Sequence, residues 1–144
     1  MSRDHTQACP VARSLNIFGD HWTMLIIREF FYGASRFKEL QQETGIAKNL
    51  LSERLKMLVE QGIVEKTDVG EHGTRFAYSL TSKGESLFPV LVCIFQWGNR
   101  ELYGPGNQPA ELVEQSTNLP VAEIQVMSRD GRILDRNAVK TRFL

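Results

Sequence analysis

Residues 36–81 read RFKELQQETGIAKNLLSERLKMLVEQGIVEKTDVGEHGTRFAYSLT. On either side of Gly45 apolar residues recur at helical spacing, and Gly62 closes the second of the two runs. Residues 63–67 and 75–80 then alternate as short strands do, around a polar tip at 68–74 that carries Gly70 and Gly73. Two helices about a tight glycine turn, followed by a hairpin, predict a winged helix-turn-helix. In that layout one helix stays exposed so that it can enter a DNA groove.

The flanks extend this pattern. Cys9-Pro10 precedes Val11, Leu15 and Phe18, an apolar-periodic run that stops at Gly19-Asp20, and proline suits a first helical turn. A second helix is expected over HWTMLIIREFFYG, turning Trp22, Leu25, Ile26 and Phe30 to a core and ending near Gly33. Ser35 reads as the N-cap of a third helix with Phe37 and Leu40 as its apolar positions and Gly45 as its stop.

The fourth helix, 47–61, can be resolved by angle at about 100° per residue. Leu51, Leu55, Leu58 and Val59 fall on one side and are expected to pack on the body of the domain. Asn49, Leu50, Glu53, Lys56 and Met57 point the other way, with Arg54 on the flank.

After the hairpin a long helix is expected from 82 to about 102, burying Leu87, Val90, Leu91, Ile94, Phe95 and Trp97, with Cys93 in the core. Pro89 implies a kink or a late start. YGPGNQP is a linker by composition. Beyond it, 121–127 reads as a strand, Arg129-Asp130-Gly131 as a turn and 132–142 as a return strand, too short for a core of its own. The expected class is mainly α with a small β-wing, dimeric, with a C-terminal hairpin-like extension. Its divisions are 9–103 for the winged domain, 104–120 for a linker and 121–144 for the extension.

Bulk properties mostly exclude. Lys+Arg and Asp+Glu both number 17, so phosphate binding would need charges segregated in space. Cys9 and Cys93 are far apart, and His5, His21 and His72 are scattered, so neither a zinc site nor a structural disulfide is expected. No apolar run approaches the ~18 residues a membrane span needs, and MSRDHTQ lacks the apolar centre of a signal peptide. The expected compartment is the cytoplasm. No phosphate-cradling or cofactor loop is present, and no cofactor is expected.

CPVARSLNIFGDHWTMLIIREFFYG, SRFKELQQETGIAKNLLSERLKMLVEQGIV and RFAYSLTSKGESLFPVLVCIFQWG, taken in order, resemble the HxlR-type family of bacterial transcriptional regulators, relatives of the MarR group. The resemblance covers 9–98. It implies a homodimer built on the first helix and the long helix, reading a pseudo-palindrome with recognition helices about one DNA turn (~34 Å) apart. Val11, Leu15, Phe18, Ile94, Phe95 and Trp97 would supply the interface. The chain departs from the family pattern at His21, where a Lys or Arg is usual, and at His72-Gly73-Thr74, where prolines are frequent.

By position, the third helix would support and the fourth would read double-stranded DNA. Lys48 and Asn49 open the reading helix, where backbone N–H groups favour phosphate, and Asn49 can pair with adenine. Lys48, Arg54 and Lys56 would meet phosphates, or a guanine edge in the case of Arg54. Arg36 and Lys38 would touch the backbone and Arg75 the minor groove, against a surface ion pair of Arg75 with Asp68 or Glu71. Leu50 is either a contact for a thymine methyl or a scattered surface apolar residue. Glu53 either accepts from cytosine or pairs with Arg36, Lys38 or Arg54.

Cys9 is the regulatory candidate, because helix N-termini favour the reactive thiolate. Some relatives with a cysteine at the matching position resemble thiol-based sensors of oxidants or electrophiles. The alternative is a half-buried, inert thiol. A protein-interaction module is the second functional class, since fold does not fix function. An enzyme with Cys9 as nucleophile is the third, and it lacks a base or acid placed by motif.

Overall fold

The computed structural model describes residues 4–73 and 75–144, and Thr74 of the expected wing tip lies outside the described residues, as do positions 1–3. The chain divides into two units, Met1–Leu91 and Val92–Leu144, and the division falls within a helix.

In the first unit α1 (Pro10–Phe18) carries its proline in the first turn and ends at Gly19. α2 (Thr23–Phe31) begins two residues later than the sequence pattern implied, because Asp20 ties down its start. Ile26, Ile27 and Thr23 are fully buried while Leu25 is only half-buried, which rotates the core face from the one expected. α3 (Phe37–Thr44) has Arg36, not Ser35, at its N-cap position. The capping group is Glu39, whose Oε2 accepts from the backbone N–H groups of Ser35 at 2.8 Å and Arg36 at 3.1 Å. Gly45 ends α3 at φ 73°, a left-handed conformation that a Cβ disfavours.

α4 (Lys48–Glu60) buries Leu51, Leu55 and Leu58. These join Ile26, Ile27 and Phe30 of α2, Leu40 of α3, and Ile46, Ile63 and Val64 in one apolar core. β1 (Val64–Asp68) and β2 (Phe76–Leu80) pair antiparallel, with Val64 opposite Leu80 and Asp68 opposite Phe76. Both strands start one residue later than read. This two-stranded wing and the helices before it are a winged helix-turn-helix.

The single long helix expected from 82 is broken. α5 (Ser82–Glu85) is one turn, capped by the Thr81 hydroxyl, which accepts from Gly84 N–H at 3.1 Å. α6 (Phe88–Gly98) restarts with Pro89 in its first turn, where its missing N–H costs nothing. A π-helical turn, Asn99–Tyr103, follows. Only Val92 of α6 is buried. Val90, Ile94 and Trp97, expected inside, are exposed, and so is Cys93. Exposed positions 90, 93, 94 and 97 share one helical stripe, so α6 presents an exposed apolar face.

In the second unit the expected strands 121–127 and 132–142 do not form. The described backbone has isolated bridges at Val113–Pro120 and Met127–Ile133 and a 3-10 turn at Arg136–Ala138. The turn before Arg132 is as read, with Gly131 at φ 86°. Among the described residues no third strand pairs with this segment, and a lone hairpin is marginal. Among the described residues no helix is long and apolar enough to cross a membrane, and no group of His, Cys, Asp or Glu is gathered for a metal.

Candidate nucleic-acid interface

The α3–α4 turn presents the N-terminus of α4 to solvent. Ala47, its N-cap residue, has no side-chain acceptor, and the first turn of the helix holds no acid. The opening N–H groups are therefore available to an anion such as a phosphate oxygen. Lys48 and Asn49 are exposed on that turn, and Ser52, Glu53 and Lys56 continue the same outward stripe. Ser52 was not among the residues singled out from the sequence, although its angle between Lys48 and Lys56 would have found it. Hydroxyls at such positions contact phosphate or base edges.

Other assignments on α4 change. Leu50 and Met57, read as pointing outward, are half-buried and pack against the core. Val59 is exposed instead, lining a groove of about 520 Å³ with Ser52, Lys56 and Lys66 between α4 and the wing. The buried positions of α4 share one core with residues of α2, α3 and β1.

Arg54 lies on the inner flank. Its Nε is 3.5 Å from Oδ2 of Asp20, with the two side chains 27% and 20% exposed. That Nε is buried and makes no hydrogen bond, so the contact is one of charge alone. Of the two alternatives for Glu53 the ion pair does not form: among the described residues it pairs with none of Arg36, Lys38 and Arg54.

Asp20 was read from the sequence only as the end of the first helix. Its Oδ2 accepts from the N–H groups of Trp22 at 2.9 Å and Thr23 at 3.0 Å, and its Oδ1 accepts from the Thr23 hydroxyl. Burial pushes this carboxyl up, but the Thr23 hydroxyl, the two N–H groups and the Arg54 charge outweigh it and hold the pKa below the ordinary 3.8. The ordered start of α2 and the inner flank of α4 thus share one carboxylate.

Arg36 is half-buried and its Nη1 donates to the Phe76 carbonyl at 3.2 Å, tying the start of α3 to β2. Lys38 is exposed on the next turn. The N–H bonds from Ser35 and Arg36 hold the Glu39 carboxyl below its usual range. At the wing, Asp68 Oδ1 accepts from Gly70 N–H at 2.9 Å and Arg75 N–H at 3.3 Å, closing the tip on backbone. Among the described residues Arg75 forms no ion pair with Asp68 or Glu71, and its exposed side chain lines a surface hollow with Val69 and His72. Lys66 sits 3.8 Å from the Phe76 ring centroid, a cation–π contact on the strand that faces the groove.

Cys9 occupies the N-cap position of α1 in extended conformation (φ −136°, ψ 124°), half-buried, and its side chain makes no capping hydrogen bond. Val11 and Leu15 on α1 are exposed, and Phe18 is half-buried. Ile94 and Trp97 on α6 are exposed, and Phe95 is half-buried.

A Mycobacterium bovis protein named an uncharacterized HTH-type transcriptional regulator is 40% identical over 102 residues, 71% of this chain and 65% of that protein. This chain therefore spans just under two-thirds of that relative. The crystal structure of PA1607, a proposed transcription factor, is 42% identical, covers 95% of this chain and 96% of its own, and superposes with a TM-score of 0.88. The redox regulator HypR in its reduced form is 28% identical over 65% of this chain and 96% of its own, with a TM-score of 0.60. The family model for HxlR-like helix-turn-helix proteins matches residues 17–104. With that match laid over α2, α3, α4 and the wing, the chain belongs to the HxlR-like helix-turn-helix family.

Proposed function

We propose that this chain is a transcriptional regulator that binds double-stranded DNA sequence-specifically as a homodimer. α4 enters the major groove of each half of a pseudo-palindromic operator. The outward stripe of α4 carries this reading, with an uncapped N-terminus followed by exposed Lys48, Asn49, Ser52 and Lys56. Asn49 reads adenine, while Lys48 and Lys56 hold phosphates. Arg54 keeps its terminal guanidinium nitrogens for the backbone beside α4, and Lys38, Arg36 and Arg75 extend the contact along the strand. Leu50 acts from behind, fixing the first turn of α4 against the core.

The dimer draws on the exposed apolar side chains of α1 (Val11, Leu15, with Phe18) and of α6 (Ile94, Trp97, with Phe95). Two-fold pairing sets the reading helices about one DNA turn, ~34 Å, apart.

Cys9 is the regulatory position in this reading. A peroxide delivers one oxygen to its thiolate Sγ, leaving a sulfenic acid and the reduced alcohol or water, and an electrophile adds a bulkier group. Either change falls at the first turn of a helix in the dimer and so alters the separation of the two α4 helices. The likeness to HypR, whose name records a redox regulator, supports this part. Such a protein acts on chromosomal DNA in the cytoplasm.

The test is a titration of the reduced, purified protein against DNA flanking its own gene, at two salt concentrations, repeated after mild thiol oxidation. Specific binding that weakens with salt and changes on oxidation, but not in Cys9→Ala, is the expected result. Specific binding indifferent to oxidation removes the thiol switch and keeps the regulator. Absence of both specific and salt-dependent binding overturns the DNA reading in favour of a protein-interaction module.

A further inference from the structure

The segment after Gly104 is ordered without a sheet or core of its own. Side chains of α6 and its π-helical turn hold it. Gln96 Nε2 donates to the Ala122 carbonyl at 3.0 Å, and Gln96 Oε1 accepts from Ile124 N–H at 2.8 Å. One amide thus takes the place of a neighbouring strand's peptide unit. Arg100 Nη1 bonds Glu123 Oε1 at 3.2 Å, and Asn99 Nδ2 donates to the Ala110 carbonyl at 2.9 Å. These bonds fix the path of the backbone. They leave Leu119, Val121, Ile124, Val126, Met127 and Ile133 exposed, Ile133 by 67%.

Apolar exposure on this scale has a cost. With Ile94 and Trp97 of the same unit, these side chains offer an area on the order of the ~800 Å² that each partner of a stable complex buries. Ordering this segment also costs conformational entropy, roughly 1–2 kcal/mol per residue, which the isolated bridges do not offset.

We propose that residues 119–133 form an arm that closes over a second copy of this chain. The arm is rooted on α6, whose outward stripe Val90, Cys93, Ile94, Trp97 is uncharged and stands at i, i+3, i+4, i+7 spacing. A copy that covers this stripe lies beside the root of the arm. Formal net charge is zero, so two copies approach without long-range repulsion. PA1607 matches over 95% of this chain and shares the added segment, whereas the HypR match leaves about a third of this chain without a counterpart. The arm is therefore an addition to the helix-turn-helix, which the family match covers over residues 17–104. This inference rests on the homodimer reading above.

The experiment is sedimentation of the full chain over a dilution series, comparing wild type, the arm variant Val126→Glu/Ile133→Glu and the α6 variant Trp97→Glu. The arm variant is expected to raise the dimer dissociation constant at least tenfold with its helical circular dichroism intact. Hydrogen exchange on the unaltered protein gives a second reading that needs no variant to fold. Amides of residues 121–127 should exchange more slowly above the dissociation constant than below it. Dimerisation unchanged in the arm variant, or exchange independent of protein concentration, overturns the arm and leaves the dimer standing. A wild-type protein that stays monomeric throughout overturns the homodimer and the arm together.

Discussion

Arg54, on the inner flank of α4, lies 3.5 Å from the carboxylate of Asp20, the group that holds the first turn of α2. The pair links the helix proposed to read DNA with the helix that forms the centre of the core. It also divides the cations of α4 by role, since Lys48 and Lys56 face solvent while Arg54 is anchored from behind.

Removing Asp20 therefore has two effects. Asp20→Ala frees the N–H groups of Trp22 and Thr23 and leaves Arg54 without its counter-charge. Loss of a helix cap costs about 0.5–2 kcal/mol. Urea unfolding should register a decrease in that range. Asp20→Asn, which keeps an acceptor for the cap, should recover most of it. Equal losses in the two variants would mean that the charge on Arg54, not the cap, is the main term.

The same carboxyl gives a pH dependence of known sign. Its pKa is depressed in the folded protein, so the unfolded chain binds the proton more readily. The stabilisation is complete well above the ordinary value of 3.8 and is lost as pH falls through it toward the lower folded value. Glu39, depressed by the Ser35 and Arg36 N–H bonds, acts in the same direction. Melting temperature should fall steeply below about pH 4.5, and the fall should be shallower in Asp20→Asn. Parallel wild-type and Asp20→Asn curves would remove Asp20 from this account.

Elements whose ends are local chemistry were legible in the sequence. Gly45 and Gly62 stop helices because each adopts a positive φ, and Pro89 delays α6 because it fits only a first turn. What depended on distant partners was not. Asp20 looks like the tail of one helix, and only the fold brings Arg54 to it from 34 positions along the chain. Leu50 and Met57 are half-buried and Val59 is exposed, because periodicity gives angles but not where the buried arc begins and ends. Val90 and Cys93 read as core because an apolar helix face carries no mark of whether its own chain or another covers it. Residues 121–127 and 132–142 read as strands from their pattern, and alternation does not supply a partner.

Gly84 provides a steric test of the knot behind the wing. A Cβ at this position would lie 2.2 Å from the Ile63 carbonyl oxygen and 3.0 Å from Leu80 Cδ2. The same carbonyl accepts from Thr81 N–H at 3.0 Å, so it cannot retreat without breaking the junction of β2 and α5. Gly84→Ala should lower stability by about 1–3 kcal/mol, the usual cost of overpacking. Gly98→Ala is the control: it ends α6 in helical conformation with nothing within 4 Å of a new Cβ. Reduced backbone freedom in the unfolded chain should make it neutral or stabilising by up to about 1 kcal/mol. A Gly84→Ala protein as stable as wild type would mean that the wing base is looser than its hydrogen bonds imply.

The cations and Asn49 of α4 should separate in their DNA-binding signatures. Lys48→Ala and Lys56→Ala each remove one phosphate partner, so affinity should fall about equally for specific and unrelated sequences. The slope of log affinity against log salt should shrink by about 1 for each. Asn49→Ala removes a candidate base contact, so it should cost about 1–3 kcal/mol on the operator and little on unrelated DNA, with the salt slope unchanged. Arg54→Ala differs from all three, because it removes the Asp20 counter-charge as well as a cation and should lower unfolding stability alongside affinity. Combined with Asn49→Ala it should abolish specific binding while circular dichroism retains the helical fold. Specific binding unchanged in that double variant would mean that α4 does not read the operator, and the search for the reading surface would move to the wing around Arg75.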